Sequence, residues 1–483
     1  MRLRILFSTN VTITTLLCII FVGFVSNVLA ATWIVHPAGV KVTGANEISG
    51  LSNINWSLIK PGDELILKGT EGTYQEFLTV TAQGTSSAPI VIRAADGETP
   101  VIKGSVVISG SSYVTVKGLT VTESPYAGVI ISNGSNHIVV SNCSVYGNAL
   151  GIWIGDNAGM ENLITENTVY NNSTHGIAVD RVNCAPGKET IISANRVYGN
   201  GHHGIEIYAS YYIIEGNEVF ENGSASQGTS GIHIYSAGPQ ENTGDYNIIR
   251  YNISYRNKES SGPDGNGIQL DQWCDNNQVY YNVCFENDGA GISVYDSSND
   301  MIYNNTLIGN MVDPGKSHPF KGELYLASDP GVNGVRNVTV VNNILYSTRP
   351  SIPAIAVYSP VTSNPVSIGN NLLYHAGGDI LFYWGGQTGK DITTWNKLAS
   401  GGGDDISGNP QFVSLSGTAL SSPRDILLKS SSPAIDKGIN LGQRRDILGT
   451  SVPLGNGIDI GALESTPSGA TPPPPPTNLR IVN

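Results

Sequence analysis

The chain runs to 483 residues with a formal charge of -13, and only 13% of its residues are charged while 57 are glycine. An acidic balance of this size argues against nucleic acid as a partner, and five cysteines without a C-x-x-C pair or a close His–Cys pair give no support to a metal cluster. Abundant Gly and Asn with few charges suit a chain dominated by turns and short strands rather than by helices.

Residues 1–30 carry Arg2 and Arg4, an apolar run over 16–25 and a small-residue end at Val28-Leu29-Ala30, the pattern of a secretory signal peptide. The mature chain is then expected outside the cytoplasm or at the cell surface, with 26 - 2 = 24 basic residues against 39 acidic ones. No later apolar run is long enough to span a bilayer. Residues 31–105 form an N-terminal capping part and first coils. Within it, Thr32 to Gly39 is a strand entering a turn, and 54–59 has helical spacing that would cover an open solenoid end. Strand-like phrases follow at Pro61-Gly62-Asp63-Glu64-Leu65-Ile66-Leu67, Gly72-Thr73-Tyr74-Gln75-Glu76 and Ala88-Pro89-Ile90-Val91-Ile92-Arg93-Ala94.

Residues 106–375 form the body of the solenoid, and within it the stretch from Gly151 to Leu326 repeats one short sentence. A glycine precedes alternating apolar and variable residues at Gly151-Ile152-Trp153-Ile154, Gly176-Ile177-Ala178-Val179, Gly204-Ile205-Glu206-Ile207, Gly231-Ile232-His233-Ile234, Gly267-Ile268-Gln269-Leu270 and Gly291-Ile292-Ser293-Val294. Between copies an Asn column recurs at 167, 195, 217, 252, 282, 305, 343 and 371. Intervals of 22 to 38 residues built from period-2 segments predict an all-β fold, a single-stranded right-handed parallel β-helix in which coils stack at about 4.8 Å. The Asn columns are expected to be hydrogen-bonded ladders at the bends. Cys184 and Cys274 follow one strand column three coils apart, roughly 14 Å, beyond disulfide reach unless their loops fold together.

Residues 376–465 supply the last coils and a closing segment, with Asn409-Pro410-Gln411-Phe412, Ser432-Pro433-Ala434-Ile435-Asp436-Lys437-Gly438 and Asp459-Ile460-Gly461-Ala462 as landmarks. Residues 466–483 are a Pro-rich tail. The opening phrases, the Asn and Gly-Ile ladders and this ending together resemble secreted bacterial β-helix proteins of the pectin-lyase-like superfamily. That resemblance implies the fold and a polysaccharide-directed enzyme, a lyase before a glycosidase or an epimerase. It implies structural capping for the ending, so Asp436 and Asp459 receive no chemistry. The Asp-Pro-His signature associated with alginate epimerases is absent; His318-Pro319 is not that motif, and Asp313-Pro314-Gly315 reads as a turn.

Strand alternation points Trp153, Ala178, Glu206, His233, Gln269 and Ser293 outward in one column, with Gly155, Asp180, Tyr208, Tyr235, Asp271 and Tyr295 in a second. Arg181, His175 and His203 flank them. For β-elimination from a uronan, His233 is the expected base, Tyr208 or Tyr235 the acid and Arg181 the partner of the substrate carboxylate. Glu206 and Asp271 are further catalytic carboxylates, and Trp153, His175, His203, Gln269 and Tyr295 are expected to bind sugar. Alternatively Asp180, Glu206 and Asp271 would hold Ca²⁺, which takes several oxygen ligands. A lysine base accompanies calcium in similar lyases, and only Lys188 or Lys258 is placed to reach in. Asp180 with Glu206 would instead suit an inverting glycosidase. A non-catalytic carbohydrate-binding role for the same groove is the rival from another class. Loops 237–245 and 258–265 are positioned to wall the groove, and a monomer acting on a polysaccharide is expected.

Overall fold

A computed structural model of the protein describes residues 30–313, 321–329, 334–378, 380–399, 401, 403–415, 417–418 and 420–465. The predicted signal segment (apart from Ala30), His318-Pro319 and the Pro-rich tail lie outside the described residues. Among those described, the strands stack into three sheets of 14, 13 and 12 members, and through the body of the solenoid each sheet takes every third strand in order, as one coil after another passes through it. The coil-to-coil strand pairing is parallel throughout; among the described residues the one antiparallel pair of strands joins Phe382–Trp384 to Gln387–Gly389, and isolated antiparallel bridges occur outside the strands, as at Phe412 with Leu428. No helix among them is long and apolar enough to cross a membrane.

Seven strands of the 13-stranded sheet carry the outward columns: β1 (Leu150–Ile154), β2 (Ile177–Asp180), β3 (Ile205–Tyr208), β4 (Ser230–Tyr235), β5 (Asn266–Asp271), β6 (Ile292–Tyr295) and β7 (Leu324–Ala327). Their register aligns Ile152, Ile177, Ile205, Ile232, Ile268, Ile292 and Leu324 in one file. Each of these side chains is fully buried, and each contributes about 1.5–3 kcal/mol by leaving water. The glycine before each isoleucine is fixed by crowding. A Cβ on Gly176 would stand 2.4 Å from Val197 Cγ1 and 2.8 Å from Asn200 Nδ2.

The bends turn on a second device. Residues 142, 166, 194, 216, 251, 281, 304, 342 and 370 all have φ between 51° and 63°, a left-handed conformation that costs an L-residue roughly 1–2 kcal/mol. Each sits immediately before a ladder position. There the buried amide holds the coil: Asn217 Oδ1 accepts from Asn195 N at 2.9 Å and from Asn195 Nδ2 at 3.0 Å, and its own Nδ2 donates to Ile192 O and to Asn252 Oδ1. A parallel ladder runs Asn148, Asn172, Asn200, Asn222, Asn257, Asn287, Asn310. Both ladders end on a carboxylate, Asp405 and Glu323 respectively.

One expectation is corrected. Residues 54–59 are not helical: Leu51–Asn53 is a 3-10 turn, and Asn55 Oδ1 accepts from Ser57 N in a tight turn just before Pro61. Leu51, Ile54 and Ile59 are nevertheless buried against the first coils. The helix lies at the other end, Ile392–Leu398, where Asp391 caps its start and Trp395 is fully buried against Phe382. The closing segment packs along the flank of the solenoid. Phe412, Leu420, Ile447 and Leu463 share a cluster with Phe220, Tyr255 and Phe285 of the 12-stranded sheet. Cys143, Cys184, Cys274 and Cys284 are buried free thiols.

Candidate active site

Stacking in register brings the predicted residues together on one outer face of β1 to β6. Glu206 lies opposite His233, His233 opposite Gln269, and Tyr235 opposite Asp271. The columns point away from the interior, yet His203, His233, Gln269 and Ser293 are nearly inaccessible. Both loops expected to wall the groove reach this face. From loop 237–245, Glu241 reaches Arg181 Nε at 3.3 Å and accepts the Tyr208 hydroxyl. From loop 258–265, Glu259 accepts Thr229 N at 3.0 Å beside β4.

Two clefts remain open, one on each side of His233. The smaller, about 210 Å³, is lined by Trp153, His175, Asp180, Glu206 and Tyr208. The larger, about 440 Å³, is lined by Asp264, Asp271, Tyr295, Lys321, Tyr325 and Tyr358. His233 lines neither cleft; it lies in register between Glu206, which lines the smaller, and Gln269, which lines the larger. His233 Nε2 is 3.2 Å from Asp271 Oδ2 and its Nδ1 is 3.7 Å from Glu206 Oε1. Burial alone would lower the imidazole pKa, but hydrogen bonding and charge from Asp271 and Glu206 outweigh it and raise the value to about 9. In His175, His202 and His203 burial outweighs the raising effect of Glu206 or of the Ser230 backbone and lowers all three, His202 to about 4.

The predicted roles meet this geometry unevenly. His233, expected as the base, has a carboxylate at each ring nitrogen and no free lone pair facing a cleft. Arg181, expected to meet a substrate carboxylate, is engaged by Asp180 Oδ1 at 3.0 Å, by Glu241 and by the Tyr208 hydroxyl at 2.9 Å, with its guanidinium 4.2 Å from the Tyr208 ring centroid. Tyr208 is itself buried and bonded to Glu241, while half-buried Tyr235 stacks on His233. His203 is buried, with Nδ1 accepting from Ser230 N at 3.0 Å, so it is not available to sugar. Gln269 lines the larger cleft, but its Oε1 accepts from Ser230 and Asn266. Trp153 and His175 line the smaller cleft and Tyr295 the larger one.

The carboxylates expected to share calcium do not converge. Asp180 faces Arg181, while Glu206 and Asp271 lie on opposite ring nitrogens of His233. These residues do not fit a calcium ion, and no chemistry is derived through one.

Lys321 is the residue that sequence reasoning missed. It is 3% exposed, its Nζ donates to Pro263 O at 2.6 Å and lies 3.3 Å from Asp264, and it sits 5.1 Å from the Tyr325 ring centroid. The available signal was Leu324-Tyr325-Leu326, which keeps the alternation of the earlier copies although Glu323 replaces the glycine. Of the lysines considered from sequence, Lys258 pairs with Asp288 and Lys188 is exposed.

Residues 53–316, more than half of the chain, match the family described as "Pel9A-like, right handed beta helix region". The chain belongs to this Pel9A-like family. Among solved structures it is similar to pectate lyase Pel9A, at 16% identity over 90% of this chain and 96% of that one, with a TM-score of 0.48. It is also similar to the A-module of mannuronan C-5 epimerase AlgE4 from Azotobacter vinelandii, at 14% identity over 64% of this chain and 86% of the module, with a TM-score of 0.47. An alginate lyase from Paenibacillus sp. str. FPU-7 matches at 20% identity over 63% of this chain and 99% of its own, with a TM-score of 0.43. No curated protein matches the sequence.

Proposed function

We propose that this Pel9A-like protein is an exported enzyme that cleaves a uronic-acid-containing polysaccharide by β-elimination in the larger cleft. The observation that carries the reading is Lys321, an amine held against the cleft among Tyr295, Tyr325 and Asp271. Elimination needs one group to take the proton from C5 and one to return a proton to the leaving oxygen. In the reaction Lys321 Nζ, after passing a proton to Asp264 at 3.3 Å, takes the C5 proton, the C4–O bond breaks as the C4–C5 double bond forms, and Tyr295 protonates the departing oxygen. The Tyr295 hydroxyl donates to Asp329 at 2.5 Å, and burial with that carboxylate raises its pKa, so the phenol keeps its proton until it is needed. Tyr325 and Tyr358 offer ring surface to pyranose faces. The family is named for Pel9A, a protein described as a pectate lyase, which accords with this class of substrate.

A second reading has its own support. Three carboxylates, Asp264, Asp271 and Asp329, line the same cleft, and a pair of them would suit hydrolysis. One assay separates the two. The purified chain is offered a panel of uronans and neutral glycans, and products are read by ultraviolet absorbance of the new double bond and by reducing ends. Unsaturated product that falls by about 10²–10⁴-fold in Lys321→Ala supports elimination with this base. Reducing ends without absorbance transfer the function to the carboxylates, and binding without product rejects both.

A further inference from the structure

The smaller cleft takes no part in the proposed reaction, yet the same register shapes it. Trp153 stands opposite Ala178, and Ala178 opposite Glu206. The indole and the Glu206 carboxylate therefore rise two strand spacings apart, about 9–10 Å, with only the methyl group of Ala178 between them. Gly155 completes the opening: a Cβ there would stand 2.3 Å from Trp153 Cζ2, so the indole lies over bare backbone. The space enclosed is about 210 Å³, below the roughly 300 Å³ at which pockets for drug-sized ligands begin. It suits one sugar ring and nothing longer.

The lining is built of acceptors. Asp180 and Glu206 line the cleft, and among the described residues that do so none is Lys or Arg. Burial would raise the Glu206 pKa, but the imidazoles of His233 and His175 beside it lower it, so it faces the cleft as a carboxylate. Burial lowers His175, which adds no positive charge near neutral pH. Arg181, beside Asp180, is already held by Asp180, Glu241 and the Tyr208 hydroxyl. Carboxylate oxygens only accept, so the groups that complement them are hydroxyls, carried by a ring laid on the indole at about 3.5–4.0 Å. A uronate would add an anion that likewise only accepts. An ammonium is not required either, because Arg181 offsets Asp180 and His233 offsets Glu206.

We propose that the smaller cleft binds one neutral sugar residue, with Trp153 under the ring and Asp180 and Glu206 accepting its hydroxyls. Given that the larger cleft acts on a uronan, the polysaccharide recognised then carries neutral sugars beside its uronic acids. Along the column Ala178, Glu206, His233, Gln269, Ser293 the two clefts stand four strand spacings apart, about 19 Å. The neutral residue or branch held by Trp153 thus lies several rings away from the bond that is cut.

The test uses the full chain and methyl glycosides, which carry no glycosidic bond at C4 and cannot undergo the elimination. Methyl galactoside and methyl glucoside are compared with methyl galacturonoside and methyl glucuronoside, pairs that differ only at C6, and with methyl glucosaminide, by saturation-transfer NMR titration. At least one neutral glycoside is expected to bind saturably and about tenfold or more tighter than its uronoside partner. Trp153→Ala should weaken that binding by about tenfold or more. Tyr246→Ala, which removes an exposed ring lining neither cleft, should leave it unchanged. Where circular dichroism shows that Trp153→Ala has not folded, Ala178→Leu, which fills the floor of the cleft, takes its place with the same expectation. Absence of saturable neutral binding, equal or tighter binding of a uronoside or of the glucosaminide, or unchanged affinity in the folded variant overturns the proposal. The uronan assay reports separately: lack of unsaturated product removes the elimination and leaves this site standing, whereas failure of the glycoside titration removes the site and leaves the elimination standing.

Discussion

Asn217→Ala tests whether the bends are held by their amides or merely decorated with them. The side chain is fully buried and makes four hydrogen bonds that alanine cannot: two accepted from Asn195, and one donated to each of Ile192 O and Asn252 Oδ1. At a net contribution of about 1 kcal/mol each, their loss amounts to about 4 kcal/mol, and stranding the buried donors of Asn195 adds about 1–3 kcal/mol more. The backbone bonds from Asn217 N to Asn252 Oδ1 at 3.0 Å and from Ile253 N to Asn217 O at 2.9 Å survive. Because each coil touches only its neighbours, the weakness should appear first at coils 195–252, as accelerated hydrogen exchange, together with a lower urea midpoint. A loss below about 1 kcal/mol, the size expected for a surface substitution, would refute the ladder as the device that fixes the bends.

Gly176→Ala should destabilise by about 1–3 kcal/mol through overpacking, read as a fall in melting temperature, because its Cβ would meet Val197 and Asn200. Trp395→Ala at the C-terminal helix removes a fully buried indole that donates to Asp405 Oδ2 at 2.6 Å; about 3–5 kcal/mol should be lost, with exchange rising first in the last coils. Glu241→Gln should loosen loop 237–245 from Arg181, seen as faster limited proteolysis within the loop, with the melting temperature nearly unchanged. Stability of the closing segment should fall as pH rises. Burial raises Glu464 to about 8 and Asp446 to about 6, so these acids hold protons in the folded state that the unfolded chain has already released. Their stabilising effect is complete below the ordinary carboxylate range and is lost through pH 6 to 8, which hydrogen exchange over 446–465 at pH 5 and pH 8.5 would detect.

The sequence by itself determined the solenoid. Ile152 through Leu324 alternate with outward residues in every copy, and a period of 2 admits one buried file and one outward file. The spacing of Asn167, Asn195 and Asn217 likewise set where each coil bends, since a buried amide column is satisfied only by another amide one coil away. The outward columns were legible for the same reason, and Glu206, His233 and Asp271 stand as neighbours. What only the tertiary structure decided is what those residues face. Whether His233 is free to accept a proton depends on Glu206 and Asp271 at its two nitrogens, and whether Arg181 meets a ligand depends on Glu241, sixty residues away in an irregular loop. Lys321 enters the larger cleft from a segment that breaks the glycine pattern. Periodicity fixes the direction of a side chain on a strand, but loops carry no period, and it is their backbone path that covers one face, closes some groups off and leaves two clefts open.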